Sequence, residues 1–344
     1  MALCAVSCQT AAFNAVFDDT LLGDFGLPDS HQYFSEAVSR IPQHFTQSQD
    51  LDYLRAFGLL AVYSLQRSET NDLHRYLGLY HALVAQHGFH DEAKWPTDIS
   101  LPEIDDRRRL FWCMYRLEVH SATVFGHVVR LPESQITVLY PRIIPSMDPE
   151  AQAWTAGWDY ITDLFRLLEY ALFSLRACKN RKAVLAVLCD RPSPTTLFDS
   201  LTRLKASKPH RIFGTAEGEG GFESNRCRYM GIQISCTETL VTILSFLYSQ
   251  APARDVMELA ENFLEELSQA PLIMFKVASG QIVHQLLGVG HMICNASHYD
   301  NGQYRPEARR LITFIGDLVQ NLEHDIPSAA AAAERLLKLA ETAA

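Results

Sequence analysis

Apolar positions recur every three or four residues along most of this chain. Leu51, Leu54, Phe57, Leu60 and Ala61 fall on one stripe of a helix. A second helix begins at the cap-forming residues Thr70, Asn71 and Asp72. It turns Leu73, Tyr76, Leu77, Tyr80, Leu83 and Val84 inward and stops at Gly88, where a left-handed cap suits glycine. After a loop holding Pro96 and Pro102, Asp105 and Asp106 mark the start of a long helix, because carboxylates favour the positive end of the helix dipole. That helix presents Leu110, Phe111, Met114, Leu117, Ser121 and Phe125 to the interior, with Gly126 near its end. Four prolines between Leu131 and Pro149, with the β-branched run around Ile136, Thr137 and Val138, predict one short extended segment around 131–141.

The helical period returns at 151–177, where Trp158, Ile161, Phe165, Leu168, Leu172 and Leu175 share a face. A shorter helix follows the turn around Pro192 and Pro194, and a surface loop at 208–223 carries Gly214, Gly218, Gly220 and Gly221. Helices are then predicted at 224–249, 253–269, 272–297 and 306–324, with an alanine-rich one after Pro327. Pro252 and Pro306 sit where a first-turn proline belongs. No fixed-period repeat is present. The pattern predicts an all-α fold: a single domain over 1–344 of stacked antiparallel helices.

Composition narrows the function classes. The chain has 344 residues, 48% of them hydrophobic and 20% charged, which is enough apolar surface to exclude disorder over most of its length. Its 30 basic and 40 acidic residues give a net charge of −10, which disfavours independent, high-affinity nucleic-acid binding. No apolar run is expected to span a membrane. Met1 to Phe17 lacks a basic flank and continues into Phe13 to Phe17, which reads as a core helix instead of a signal peptide. The eight cysteines are scattered with no C-x-x-C spacing. They read as small buried hydrophobes in a reducing compartment, and as neither a disulfide framework nor a zinc module.

Little in the chain promises catalysis. The acid pairs Asp18–Asp19 and Asp105–Asp106 lack the third acid that a magnesium diphosphate site of terpene-cyclase type needs. His87 and His90 straddle a helix end with no paired acid or thiolate in register, so no metal is expected there. Ser279 lacks the first glycine of G-x-S-x-G, and the glycines around Gly218 are flanked by acids that repel phosphate. Arg107, Arg108 and Arg109 read as partners for Glu103, Asp105 or Asp106. His284 and His291, seven apart on an apolar helix, share a face and are candidates to line an effector cavity.

The run from Arg107 to Glu118, followed by Gly126 and by Leu131 to Pro141, resembles the middle homology region of fungal zinc-cluster transcription factors. That family shows R-R-x-F-W-x-x-Y/F-x-x-D, then G-R-P, then an extended segment ending in proline. The matching positions are Arg108, Arg109, Phe111, Trp112, Tyr115, Gly126 and Pro141. The helix from Tyr76 to His90 is similar to a preceding family helix, and Pro271 to Gly290, Leu311 to Leu322 and Ile326 to Ala329 are similar to its closing helices. Phe111, Trp112 and Tyr115 are large anchors that fix a helix against its neighbours, with the indole N–H and phenol reaching polar partners. Glu118 stands where the family has Asp, His127 and Val128 replace its R-P, and Gln135 occupies a commonly acidic position. An arginine–carboxylate interaction is therefore expected to be missing.

The resemblance implies a transcription regulator of fungal type, located in the nucleus: a regulatory domain without its own zinc-cluster DNA reader. It implies no enzyme activity, cofactor or metal. Its expected partners are other transcription regulators or an upstream DNA-binding module, with no direct nucleic-acid or membrane contact. A small-molecule effector, a homodimer and control of a metabolic or secondary-metabolite pathway are compatible with it. A DNA-independent scaffold that pairs with other regulators is the alternative, and an α-helical enzyme the more distant one.

Overall fold

The computed structural model describes residues 1–16, 29–42, 51–144, 146–179, 193–209, 222–298 and 302–343. Asp18–Asp19, most of the 208–223 loop and the first part of the turn before Pro194 lie outside the described residues. The described residues form α-helices and short 3-10 turns, with no strand among them. They divide into two compact units: Met1–Met147 with Lys276–Gln281, and Asp148–Phe275 with Ile282–Ala344.

Unit 1 contains α1 (Ala2–Ala12), α2 (Ser30–Ser39), α3 (Leu51–Gln66), α4 (Thr70–His87) and α5 (Leu101–Val124). The helix α1 is shorter than its apolar pattern predicts. It closes at Phe13, which is buried, and Asn14 takes a left-handed backbone (φ 50°) that redirects the chain. The first residue of α4 is Thr70, its N-cap is Glu69, and no side chain caps it. Its end is as the pattern predicts: Gly88 adopts φ 62°, ψ 30° and its N–H returns to the Val84 carbonyl. The start of α5 lies a turn earlier than the acids suggest. Ser100 Oγ accepts the Glu103 N–H at 3.4 Å and Pro102 occupies the first turn, so Asp105 and Asp106 fall inside the helix.

Aromatic side chains fill the unit 1 core. Phe57, Tyr63, Tyr76, Tyr80 and Phe111 are all essentially inaccessible. Phe34 of α2 stacks on Tyr63 at 4.7 Å and meets Tyr76 edge-on at 5.9 Å. The helices α3 and α5 approach closely at Gly58, where a Cβ would lie 2.9 Å from Met114 Sδ. Around 131–141 the backbone is extended at Pro132 and Ile136, with a single 3-10 turn (Glu133–Gln135) between them.

Unit 2 contains α6 (Pro149–Lys179), α7 (Pro194–Ala206), α8 (Phe222–Ser249), α9 (Ala253–Ser268), most of α10 (Leu272–Ser297), α11 (Arg305–Gln320) and α12 (Ala329–Thr342). Its long helices α6 and α8 run together, as do α11 and α12. Val256, Phe263 and Leu267 of α9, with Leu311, Ile315 and Val319 of α11, are buried at helical spacing. Pro252 is the N-cap of α9 and not its first residue, and α11 ends at Gln320, before the predicted 324. Within α10, Ser279 leaves helical geometry (φ 48°, ψ −138°). A Cβ on the following Gly280 would meet the Leu65 carbonyl oxygen at 2.4 Å, so only glycine fits beside the end of α3.

Two expectations need correction. On length and composition, Asn225–Ser249 and Leu272–Ser297 are apolar enough to cross a membrane, although 78% and 61% of their most apolar windows are buried inside the protein. The cysteines are not uniformly buried. Cys236 and Cys294 are, but Cys4 and Cys113 are exposed and Cys8 and Cys227 lie between.

Candidate functional site

The side chains singled out in the sequence meet around α5. Phe111, Trp112 and Tyr115 are buried within little more than one turn of the helix. Trp112 packs edge-on against Phe111 (5.4 Å), Tyr115 (5.4 Å) and Tyr140 (5.1 Å). Its indole N–H donates to the Leu139 carbonyl at 3.0 Å, so one side chain both fills the core and pins the extended segment. Trp95 does the same one loop earlier, stacking on Phe89 and donating to the Phe89 carbonyl at 3.1 Å.

Arginine–carboxylate pairs tie loops to this helix. Arg108 grips Glu92 with two parallel bonds, Nε to Oε1 at 2.7 Å and Nη2 to Oε2 at 2.8 Å, and Nη1 reaches the Tyr140 carbonyl. Glu92 also accepts the Leu139 N–H at 2.8 Å. Burial pushes the Glu92 carboxyl up, but the Arg108 and Leu139 donors outweigh it and hold the group below its ordinary value. Asp105 takes Arg142 in the same way, with Nη2 at 2.9 Å, and its carboxyl is likewise held down against burial. Arg107 pairs with Glu103 at 2.8 Å, and the exposed Arg109 with Asp106 at 3.2 Å. The triple arginine is therefore committed to acids, as its context predicts, although Glu92 is a partner that only the fold supplies.

The arginine–carboxylate interaction expected to be missing is present. Glu118 is buried, and its carboxylate accepts the Arg130 backbone N–H at 2.8 Å and the Arg130 guanidinium at 2.8 and 3.1 Å. His81 Nε2 lies 3.4 Å away, within Coulombic reach but off hydrogen-bond geometry. Burial raises the Glu118 carboxyl, and His81 and Arg130 together outweigh it, so it stays ionised below the usual range. Arg130 also contacts the ring and carbonyl of His74. Burial and the neighbouring Arg130 lower the His74 pKa, which keeps that imidazole neutral and able to accept. Gly126 makes the turn in a left-handed conformation (φ 74°), and the longer Glu118 together with an arginine four residues past Gly126 restores the pair. Pro141 sits between Tyr140 and Arg142, the two residues whose contacts anchor the segment.

The remaining candidates do not join this cluster. His284 is buried, with its pKa lowered to about 4 by burial and then by Arg335, whereas His291 is exposed. Neither lines two open grooves formed by described residues of unit 1, of about 330 and 370 Å³. No three metal-capable side chains converge among the described residues.

Residues 1–159 match the fungal specific transcription factor domain. This segment holds all of α1 to α5, the Glu92–Arg108, Asp105–Arg142 and Glu118–Arg130 pairs, and the aromatic block. The chain is also similar to pyrimidine pathway regulatory protein 1 of Saccharomyces cerevisiae, at 30% identity over 112 residues. That match covers 33% of this chain and 12% of the relative's length. No solved structure matches the chain.

Proposed function

We propose that this chain is a regulatory part of a fungal-type transcription regulator, acting in the nucleus through other regulators or a DNA-binding module. The match of residues 1–159 to a transcription factor domain carries this reading. The chemistry of the site supports it. Its conspicuous charges are spent on each other, tying loops to α5, and its aromatics fill a core, which suits a domain that holds a shape for a partner. The net charge of −10 and the pairing of Arg107, Arg108 and Arg109 with acids leave no basic track there for duplex DNA. Response to a small-molecule effector, self-association and control of a metabolic pathway belong to the same reading as its finer parts.

A reporter assay tests it. The chain is fused to a heterologous DNA-binding domain upstream of a reporter, and output is compared with that domain alone. The fusion is expected to change output, and Glu118→Ala, which strands Arg130, is expected to weaken the change. A fusion that enters the nucleus, accumulates normally and leaves output at the baseline overturns the reading. In fluorescence anisotropy at physiological salt the chain alone is expected not to bind duplex DNA; sequence-dependent submicromolar binding lost in an Arg107/Arg108/Arg109 triple-alanine variant defeats the DNA-independent part.

A further inference from the structure

Unit 1 carries an open groove of about 330 Å³ where the start of α1, the end of α2 and the first half of α3 meet, within the size range of small-molecule sites. An alanine on each helix leaves this space: Ala2, Ala37 and Ala56 line it, and each stops short of where a larger apolar side chain would fill the gap. Beneath lie Phe57 and Leu60, both essentially inaccessible, so the groove opens toward the apolar core. The charged side chains that line it are two, of opposite sign: Arg40 and Asp52. Each already sits in an exposed pair with a residue three or four positions away, Arg40 with Glu36 and Asp52 with Arg55 at 3.0 Å. Such surface pairs contribute little and leave both groups open to a new partner. The Arg40 side chain is 63% exposed and that of Asp52 75%, and among the described residues Arg40 commits only Nη2, so its other N–H donors are available. This rim disfavours a ligand with one charge. A bare carboxylate that reaches Arg40 meets the Asp52 carboxylate, and a bare ammonium that reaches Asp52 meets the Arg40 guanidinium. A zwitterion answers both, and the apolar wall suits an apolar body.

We propose that this groove binds a free α-amino acid with an apolar side chain of about leucine's size. Its carboxylate pairs with Arg40, its ammonium with Asp52, and its side chain lies against Ala56, Phe57 and Leu60. The affinity needs all three contacts together, because each charge alone faces a repulsive neighbour and the apolar body alone fills an open groove. A role for this amino acid as an effector rests on the proposed regulatory reading; the binding itself does not.

Isothermal titration of the purified full chain with L-leucine tests this. Saturable binding at one site per chain is expected, with a Kd no weaker than about 1 mM. 4-Methylpentanoate lacks the ammonium, 3-methylbutylamine lacks the carboxylate and glycine lacks the apolar body; each is expected to bind at least about tenfold more weakly. Arg40→Gln and Asp52→Asn change exposed groups and keep their shapes, so folding is expected to survive both. Each is expected to weaken L-leucine about tenfold, through loss of a charge-assisted contact. Each also removes one repulsion, so Asp52→Asn is expected to tighten 4-methylpentanoate and Arg40→Gln to tighten 3-methylbutylamine. Ala56→Phe, which fills the groove, is expected to abolish binding, with urea melts confirming that the variant folds. L-Leucine that does not bind, binds no better than its one-charge analogues, or binds unchanged to both Arg40→Gln and Asp52→Asn, overturns the proposal. Because the titration uses the purified chain without a reporter, that result leaves the regulatory reading standing, and a reporter fusion at baseline leaves the binding standing.

Discussion

Glu118→Ala is the sharpest probe of how this domain is held together. Glu118 has a side chain 1% exposed and carries the charge that answers both the Arg130 guanidinium and its backbone N–H. Removing it leaves a guanidinium 20% exposed, a backbone donor without its acceptor, and a cavity in α5. Breaking a buried pair from one side costs roughly 3–5 kcal/mol, and the partial exposure of Arg130 puts the expected loss near the lower end, about 3 kcal/mol. Glu118→Gln keeps the shape and one acceptor and is expected to lose less, about 2 kcal/mol, because a hydrogen bond to a charged group becomes a neutral one. Replacing both partners, Glu118→Leu with Arg130→Met, is expected to recover most of the loss, since no charge is left stranded. Urea unfolding at pH 7 measures all three, with tryptophan fluorescence reporting on Trp112 beside the loop.

The same pair fixes a pH dependence. The Glu118 carboxyl is held below its ordinary value, so its contribution is complete above the unfolded-state value of about 4.3 and is lost as pH falls through the lower folded value. The gap between wild type and Glu118→Ala is therefore expected to be constant from pH 7 down to about 5 and to close in acid. A Glu118→Ala loss below about 1 kcal/mol at pH 7, or a gap that widens in acid, refutes this account of α5.

Three further outcomes follow from other contacts. Trp112→Ala removes a buried indole and its bond to Leu139 and is expected to cost roughly 3–5 kcal/mol in urea melts; a change under about 1 kcal/mol contradicts its anchoring role. Gly280→Ala forces a Cβ to within 2.4 Å of the Leu65 carbonyl oxygen, a backbone atom that cannot swing aside, and is expected to lower stability by about 1–3 kcal/mol in thermal melts, whereas Gly288→Ala, with open space around it, is not. His284 is held neutral, with its pKa lowered to about 4, so the unfolded chain binds the extra proton between the unfolded value of about 6.5 and that point. Stability is expected to fall as pH drops through that window and to lose the corresponding slope in His284→Leu.

The helices were legible because their signal is local and repeated. The stripe Leu73, Leu77, Tyr80 and Val84 followed by Gly88 reports a helix and its end from sequence neighbours alone, and the left-handed Gly88 agrees. The start of α5 was misread because two signals competed. Ser100 and Glu103 form the S-x-x-E pattern of a capped start, with Pro102 in the first turn, while Asp105 and Asp106 offer a dipole argument that a capped helix does not need. The N-terminal apolar run, which reads as helix through Phe13 and beyond, ends its helix sooner, because apolar residues mark burial as well as helicity. Phe13 is buried, but as the residue that closes α1 before the left-handed Asn14.

The site was legible only as far as its own helix. That Arg107 and Arg109 pair with acids three or four residues away is written in the spacing. The choice of Glu92 by Arg108, 16 residues away, and of Glu118 by Arg130 is not, because those contacts exist only once the loops return to α5. Reading the motif by fixed spacing made Glu118 an unpaired departure. In space, Arg130, three positions beyond the motif's arginine position at His127, reaches the Glu118 carboxylate with its backbone N–H and its guanidinium. Glu118→Asp is then expected to leave a gap in this chain, where Arg130 is set for the longer side chain. The pair, and not either residue at a fixed offset, is what this part of the fold specifies.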